Sequence, residues 1–288
     1  MKLQNLCNTN IDTIHKAFID AFSEYEVKID MPIEKLNEML LTRDYDPSLS
    51  IGCFDGDRLL GFVLTGYRSI NNKKCCYDVA TGVIQEYQNK HIGSFILKEL
   101  MDCIVRNGID QYQLEVLEKN IAARRLYEKN GFSITRRLRC YEKEIMGTSI
   151  KKITYKVSHD RSLLGSIDEI DYVSFKPTWQ NSFKAFYNKE DNYYVICFLD
   201  NDVIIGYGII HKERGDILQV GVRENYRDKG IEETLIKEMA NSVCKAKVIL
   251  LNIEDKSYMQ NKLEENQYNN FTNQYEMVYI NNSKSVFS

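Results

Sequence analysis

Two stretches of the 288-residue chain have the residue types and order of an anion-binding turn: Thr81-Gly82-Val83-Ile84-Gln85-Glu86-Tyr87-Gln88-Asn89-Lys90-His91-Ile92-Gly93-Ser94 and Gln219-Val220-Gly221-Val222-Arg223-Glu224-Asn225-Tyr226-Arg227-Asp228-Lys229-Gly230-Ile231-Glu232. Each reads as a strand, a short polar turn and the start of a helix. Such a turn presents backbone N–H groups without intrahelical partners and the positive end of the helix dipole, which together suit a pyrophosphate. Gly93 and Gly230 stand where a Cβ would keep the backbone away from phosphate. Glycine beside a helix start also serves plain turn chemistry, so the turn alone leaves both readings open. A second feature is Glu115 in Leu114-Glu115-Val116, a carboxylate inside an otherwise apolar strand.

Other chemistries find little support. The eight cysteines (7, 53, 75, 76, 103, 140, 197, 244) never form C-x-x-C, and the four histidines (15, 91, 159, 211) never pair at ligand spacing. A disulfide framework and a metal site are therefore not expected, and the thiols read as reduced and mostly buried. Lys and Arg total 38 against 41 acidic residues, a net charge of −3. A nucleic-acid partner is not expected, since binding phosphates calls for a basic surplus. At 43% hydrophobic and 27% charged residues the composition is that of a globular protein, not of a disordered, collagenous or coiled-coil chain. No apolar run approaches the roughly 18–20 residues that cross a bilayer, and the opening MKLQNLCNTNID lacks a charged-then-apolar leader. The expectation is a soluble, cytoplasmic protein without a membrane partner.

The elements that position these groups recur in two halves. The first reads as a strand at 1–7, a helix at 11–22 capped by Asn10, a helix at 33–41 after Pro32, and a hairpin 49–66 turning at Asp55-Gly56-Asp57. A strand at 74–84 follows, then a helix at 91–106 with apolar residues at Ile92, Phe95, Ile96, Leu100 and Ile104, a strand at 111–117, and a helix at 121–130 stopped by Gly131. Residues 132–137 and 139–144 read as a closing antiparallel pair. The second half repeats the order: a meander at 193–199, 203–211 and 217–222, a helix at 230–243, a strand at 248–253, a short helix and a final stretch at 268–280. Residues 151–157 read as its first strand and 177–187 as helical. The small, polar Met146-Gly147-Thr148-Ser149 is the expected join. At about twice a typical domain of roughly 100–150 residues, the chain divides into domains at 1–146 and 147–288.

Residues 87–94 and 226–232 resemble the Q/R-x-x-G-x-G/A coenzyme A signature of the GNAT N-acetyltransferase superfamily. Asn120-Ile121-Ala122-Ala123-Arg124-Arg125-Leu126-Tyr127-Glu128-Lys129-Asn130-Gly131-Phe132 is similar to that family's N-x-x-A-x-x-L-Y-x-x-x-G-F segment, a far more specific match. The resemblance covers nearly all of the first half and, more faintly, the second. It implies an α/β (α+β) fold of two tandem GNAT-like domains, each a mixed, mostly antiparallel sheet flanked by helices. Acetyl-CoA would be the cosubstrate, with no metal, wedged where two central strands splay. The turn Gln88, Asn89, Lys90, His91, Ile92, Gly93, Ser94 would hold its pyrophosphate. The strand Asp78–Val83, with Thr81, Gly82 and Val83, would pair with its pantetheine arm, and Asn120, Ala123 and Tyr127 would also meet the coenzyme. Two residues depart from the signature: His91 replaces its first glycine, and Glu232 its last small residue, where it would repel phosphate unless it points into solvent.

Acetyl transfer to an amine needs a neutral nucleophile and a proton for the departing thiolate. Deprotonating an alkyl ammonium of pKa about 10.4 at neutral pH costs on the order of 4–5 kcal/mol, and orienting the reactants can supply roughly 7–11 kcal/mol. By the resemblance Tyr127 is the acid toward the thiolate, its alternative being a core tyrosine on an amphipathic helix. Asn120 caps that helix and, by the resemblance, touches the coenzyme. Glu115 is the candidate base, its alternative a solvent-facing edge residue, with Asp78 in reserve. Aligning Asn266-Gln267-Tyr268 with Asn130-Gly131-Phe132 puts Leu263 at Tyr127, Lys256 at Asn120 and Leu251 at Glu115, so the second domain reads as degenerate. Phe175, Trp179, Phe183 and Phe186 either line an acceptor pocket or pack in a core. The leading reading is an acetyl-CoA-dependent N-acetyltransferase acting on a small-molecule primary amine, as a monomer or homodimer. The alternative is a non-catalytic acyl-CoA-binding sensor or scaffold.

Overall fold

The computed structural model describes residues 1–24, 30–145 and 155–282. The chain forms two compact units, one of Met1–Thr135 with the C-terminal stretch that begins at Glu276, the other of Arg136–Tyr275.

The first unit runs β1 (Lys2–Asn5), α1 (Ile11–Ala21), α2 (Ile33–Thr42), β2 (Ile51–Asp55), β3 (Arg58–Ile70), β4 (Lys73–Val83), α3 (Ile92–Arg106), β5 (Gln111–Leu117), α4 (Ile121–Lys129) and the start of β6 (Ser133–Glu144). Helix α1 buries Ile14, Ala17, Phe18 and Ala21 on one stripe, and the Asn10 side chain accepts from Thr13 N at 2.8 Å to cap it. Helix α3 buries Ile92, Ile96, Leu97, Leu100, Cys103 and Ile104. Both helices pack on β3. Gly61 makes room for α3, since a Cβ there would meet the Ile96 side chain at 2.9 Å. The strands β1-β2-β3-β4 pair antiparallel, and β5 joins β4 in parallel.

The second unit continues β6 and adds β7 (Lys156–Ser158), α5 (Phe183–Tyr187), β8 (Tyr193–Asp200), β9 (Val203–His211), β10 (Asp216–Val222), α6 (Ile231–Ser242), β11 (Lys247–Glu254), α7 (Tyr258–Glu265) and β12 (Asn269–Ile280) up to Tyr275. Its strand order is β12-β6-β11-β10-β9-β8-β7, with β10–β11 parallel. Leu235, Ile236, Met239 and Ala240 of α6 sit in a core with Ile196, Ile205, Val220 and Leu250. Gly206 repeats the role of Gly61, since a Cβ there would meet the Leu235 side chain at 3.1 Å.

Several expectations change. The pair read at 132–137 and 139–144 is one strand: Leu138 and Arg139 continue the ladder against Glu254 and Ile253, with no turn between. Strands β6 and β12 each pass from one unit to the other, so the units differ from a division at 1–146 and 147–288. The expected join at 146–149 and most of the strand read at 151–157 lie outside the described residues. Where one helix was expected at 177–187, Trp179–Asn181 form a 3₁₀ turn, and Ser182 then caps α5. Phe186 and Trp179 are buried in the second unit and are core residues, while Phe183 and Phe175 are partly buried and pack against its cores.

Candidate active site

In the first unit the parallel ladder between β4 and β5 covers only Cys75–Tyr77 against Gln111–Gln113. Beyond it β4 runs on to Val83 and β5 to Leu117 without pairing to each other. The cause lies on the other edge of β4, where Leu64 pairs with Ala80 and Thr65 with Asp78, leaving Val79 as an extra residue that bends the strand. Thr81, Gly82 and Val83 lie on the diverging stretch.

At its end the chain turns into α3. Gln88 Nε2 donates back to Val83 O at 3.1 Å and so ties the turn to the strand. Asn89 and His91 adopt positive φ of 59° and 63°, a conformation that Asn and His accept more readily than most residues. Lys90 lies over the Tyr87 ring, its Nζ 4.8 Å from the centroid. His91 stands at the cap position of α3 and makes no side-chain cap bond. The N–H groups of Ile92, Gly93 and Ser94 therefore have no partner among the described residues. A Cβ on Gly93 would have nothing nearer than Leu126 at 3.7 Å. These open donors fit the phosphates of a coenzyme A thioester.

Two side-chain networks meet at the splay. Tyr127, buried on α4, donates to Asp78 Oδ2 at 3.0 Å, and Thr81 Oγ1 donates to the same oxygen at 2.6 Å. Burial pushes the Asp78 carboxyl up to about 6, against the opposing bonds from Thr81 and Tyr127 and the charge of Arg43. Glu115, on β5, accepts from the Tyr77 hydroxyl and is only partly buried. Burial raises Tyr77 and Tyr112 well above the ordinary phenol range, so both stay neutral. Asn120 caps α4 by accepting from Ala123 N at 3.1 Å, which leaves Ala123 no free N–H for a ligand. The structure thus gathers Asp78, Thr81 and Tyr127 into one cluster and Tyr77 and Glu115 into another. Of these, Thr81 as a side-chain donor and Tyr77 went unseen in the sequence, and Asp78 stood only in reserve. A single carboxylate within Cys75-Cys76-Tyr77-Asp78-Val79-Ala80 was the available signal.

The second unit has the same frame with its openings filled. Asp216 and Ile217 pair in parallel with Ile249 and Leu250, and Leu218 is the extra residue of the bulge. Here Tyr172 O accepts from Val222 N at 3.0 Å, and Asn181 Nδ2 donates to Leu218 O at 3.0 Å, so a loop of this unit lies along the strand edge. No described carbonyl meets Val83, the counterpart of Val222, in this way. Glu232, expected to face solvent or repel phosphate, is 4% exposed and accepts from its own backbone N–H and from Tyr258 Oη at 3.0 Å. Tyr258 Oη also accepts from Asp228 N. A buried carboxylate and a phenol thus stand at a helix start that α3 leaves open, and the carboxylate there disfavours a phosphate. The pairing pattern bears out Leu251 at the place of Glu115 and puts Ile217 at that of Asp78. Leu263 O accepts from Tyr268 N as Tyr127 O does from Phe132 N. At the place of Asn120 the structure has Ser257 rather than Lys256, because α7 is one residue shorter than α4 and Ser257 accepts from Gln260 N.

Among the described residues no group of three His, Cys, Asp or Glu side chains forms a metal site, and no helix is long and apolar enough to cross a membrane. A bulged strand diverging from its parallel neighbour above an uncapped helix start makes a frame suited to a ligand with phosphates at one end. The acetyltransferase (GNAT) family model matches residues 11–132 and 162–255, more than half of the chain, and the protein belongs to that family. Members in general use acetyl-CoA for acetyl transfer. No curated protein matches the sequence significantly. Among solved structures, a GCN5-related N-acetyltransferase from Sphaerobacter thermophilus aligns with a TM-score of 0.72 at 12% identity, over 97% of this chain and 95% of that one. A tandem GNAT protein from the clavulanic acid biosynthesis pathway aligns with a TM-score of 0.72 at 9% identity, over 97% and 98%. A GCN5-related N-acetyltransferase from Anabaena variabilis aligns with a TM-score of 0.63 at 13% identity, over 97% and 72%. At such identities the likeness shows the fold.

Proposed function

We propose that the protein is an acetyl-CoA-dependent N-acetyltransferase with one working site, in the first unit, that acetylates a primary amine by direct attack. The observation that carries this reading is the set of open N–H donors of Ile92, Gly93 and Ser94 beside a diverging strand and Tyr127. In the second unit the matching N–H of Glu232 is taken by its own carboxylate, and a loop lies along the strand edge.

When bound, acetyl-CoA supplies an acetyl group activated as a thioester. The α3 amides hold its pyrophosphate, with Gln88 fixing the turn and Asn89, Lys90 and His91 forming its wall. The edge of β4 at Thr81, Gly82 and Val83 aligns the pantetheine arm. Asn120 orients the start of α4 and with it Tyr127. Glu115 takes a proton from the incoming ammonium, and Tyr127 gives a proton to the departing sulfur. Such an acid and base each contribute about 10²–10⁴-fold, beneath the larger gain from holding the reactants together.

Release of coenzyme A thiol in the presence of acetyl-CoA and tyramine, spermidine or L-lysine tests the reading. Tyr127→Phe is expected to lower turnover about tenfold or more at saturating acetyl-CoA. An unchanged rate removes Tyr127 as the acid. Calorimetric binding without thiol release across a broad amine panel supports the sensor reading instead.

A further inference from the structure

The hydroxyl proton of Tyr127 is directed at a carboxylate, since it donates to Asp78 Oδ2 at 3.0 Å. A phenol held so turns lone pairs, not its proton, toward the rest of the site. For Tyr127 to protonate a thiolate, Asp78 must release the shared proton. Thr81 Oγ1 also donates to Oδ2, at 2.6 Å, so that oxygen carries both bonds. Oδ1 is buried and has no hydrogen-bond partner among the described residues, in a side chain 9% exposed. A buried carboxylate with one unsatisfied oxygen gains by taking up a proton. Of the other groups near it, Tyr112 and Tyr77 stay neutral, and Arg43 donates to Val79 O at 3.0 Å. In the second unit, where Leu263 replaces the tyrosine, Ile217 replaces the aspartate, so the two partners are lost together.

We infer that Asp78 is a proton store behind Tyr127, a positioning residue that acts through its hydroxyl; the inference rests on the reading of Tyr127 as the acid. An ammonium substrate loses two protons on becoming an amide. Glu115 passes the first to solvent. As the nitrogen electron pair forms the C–N bond, the Tyr127 oxygen takes the second proton and gives its own to Asp78. As the C–S bond breaks and its pair leaves on sulfur, Tyr127 protonates the sulfur and regains a proton from Asp78. One proton is released, one moves from nitrogen to sulfur, and the Asp78–Tyr127 pair ends as it began. With its carboxyl pushed up to about 6, Asp78 is ionised and able to accept above that pH while still holding a proton well enough to return it.

Asp78→Asn keeps an oxygen for Thr81 and Tyr127 but cannot store a proton. With acetyl-CoA and tyramine, spermidine or L-lysine, it is expected to lower kcat about tenfold or more and leave the KM for acetyl-CoA within about twofold. Tyr127→Phe should cost as much, and the double variant no more than either alone, because the two act as a unit. The wild-type profile is expected to show an acid limb near pH 6 that vanishes in Asp78→Asn. Independently of turnover, the ¹³C resonance of the Asp78 carboxyl should titrate near 6 and move to higher pH in Tyr127→Phe, which removes a bond to the charged form. An Asp78 midpoint unmoved by Tyr127→Phe, or a wild-type kcat in Asp78→Asn where Tyr127→Phe is impaired, overturns the store alone. A wild-type kcat in Tyr127→Phe overturns the acid reading and the store with it.

Discussion

Asp78 is enclosed by Thr81 on its own strand and Tyr127 on α4, and its carboxyl is raised from 3.8 to about 6, first by burial. The folded state therefore binds a proton more tightly than the unfolded chain. Its contribution to stability is fully present below about pH 3.8 and is lost as pH rises through about 6. Asp78→Asn removes a charge that the fold resists and is expected to stabilise the protein at pH 8 by up to about 3 kcal/mol, at about 1.4 kcal/mol for each tenfold difference in proton affinity. Below pH 4 the gain should disappear. Urea unfolding of both proteins at the two pH values checks this, and a larger gain at low pH would contradict the burial argument. A buried carboxylate that weakens the fold at working pH is the kind of cost that functional sites carry.

Helices α1, α4, α5 and α7 begin with Asn10, Asn120, Ser182 and Ser257, whose side chains accept from the first-turn amides. Helices α3 and α6 begin instead at left-handed His91 and Gly230, with no side-chain cap. They differ, among other positions, at the second helical residue, Gly93 in one and Glu232 in the other. The comparison gives a direct experiment. Gly93→Glu would place a carboxylate where Glu232 fills its own helix start, and the nearest atoms to the new Cβ, at 3.7 Å and 3.9 Å, are at ordinary contact distance. The Kd for acetyl-CoA should rise about tenfold or more, roughly 1.4 kcal/mol, with Tm nearly unchanged. Calorimetry and thermal unfolding read the two quantities. A wild-type Kd would remove the α3 turn as the phosphate site.

For the molecule as a whole, the filled turn and strand edge of the second unit lead to a stoichiometry of one coenzyme A per chain, measured by isothermal titration of the full protein. Two equivalents bound would contradict the proposed single site. The route of the chain leads to a second expectation. The first unit takes its last strand segment from the C-terminal region: Thr135 Oγ1 donates to Glu276 Oε1 at 2.9 Å, Asn281 Nδ2 to Ile109 O at 2.9 Å, and the Tyr279 ring lies 5.7 Å from that of Phe132. A fragment of residues 1–146 lacks all three contacts. It should unfold at markedly lower urea than the first unit does in the intact chain, with a fragment of equal stability counting against this division.

Much of this was readable along the chain. Asn10 and Asn120 cap where a capping residue belongs, the apolar stripe of α3 buries Ile92, Ile96, Leu100 and Ile104 as their spacing requires while Phe95, also expected in it, is exposed, and the run from Asn120 to Phe132 led to the family. Leu263 and Leu251 stand where Tyr127 and Glu115 do. These are local signals, carried by residues three or four positions apart on a helix or alternating on a strand. The misread closing pair, the meeting of Asp78 with Tyr127 49 residues later, the loop over Val222 and the inward turn of Glu232 toward Tyr258 were not readable. A strand pattern does not name its partner, and a carboxylate's charge and direction depend on what burial and distant donors leave around it. Local order along the chain thus specified the elements and their kind, while long-range pairing and desolvation selected which of two similar helix starts stays open.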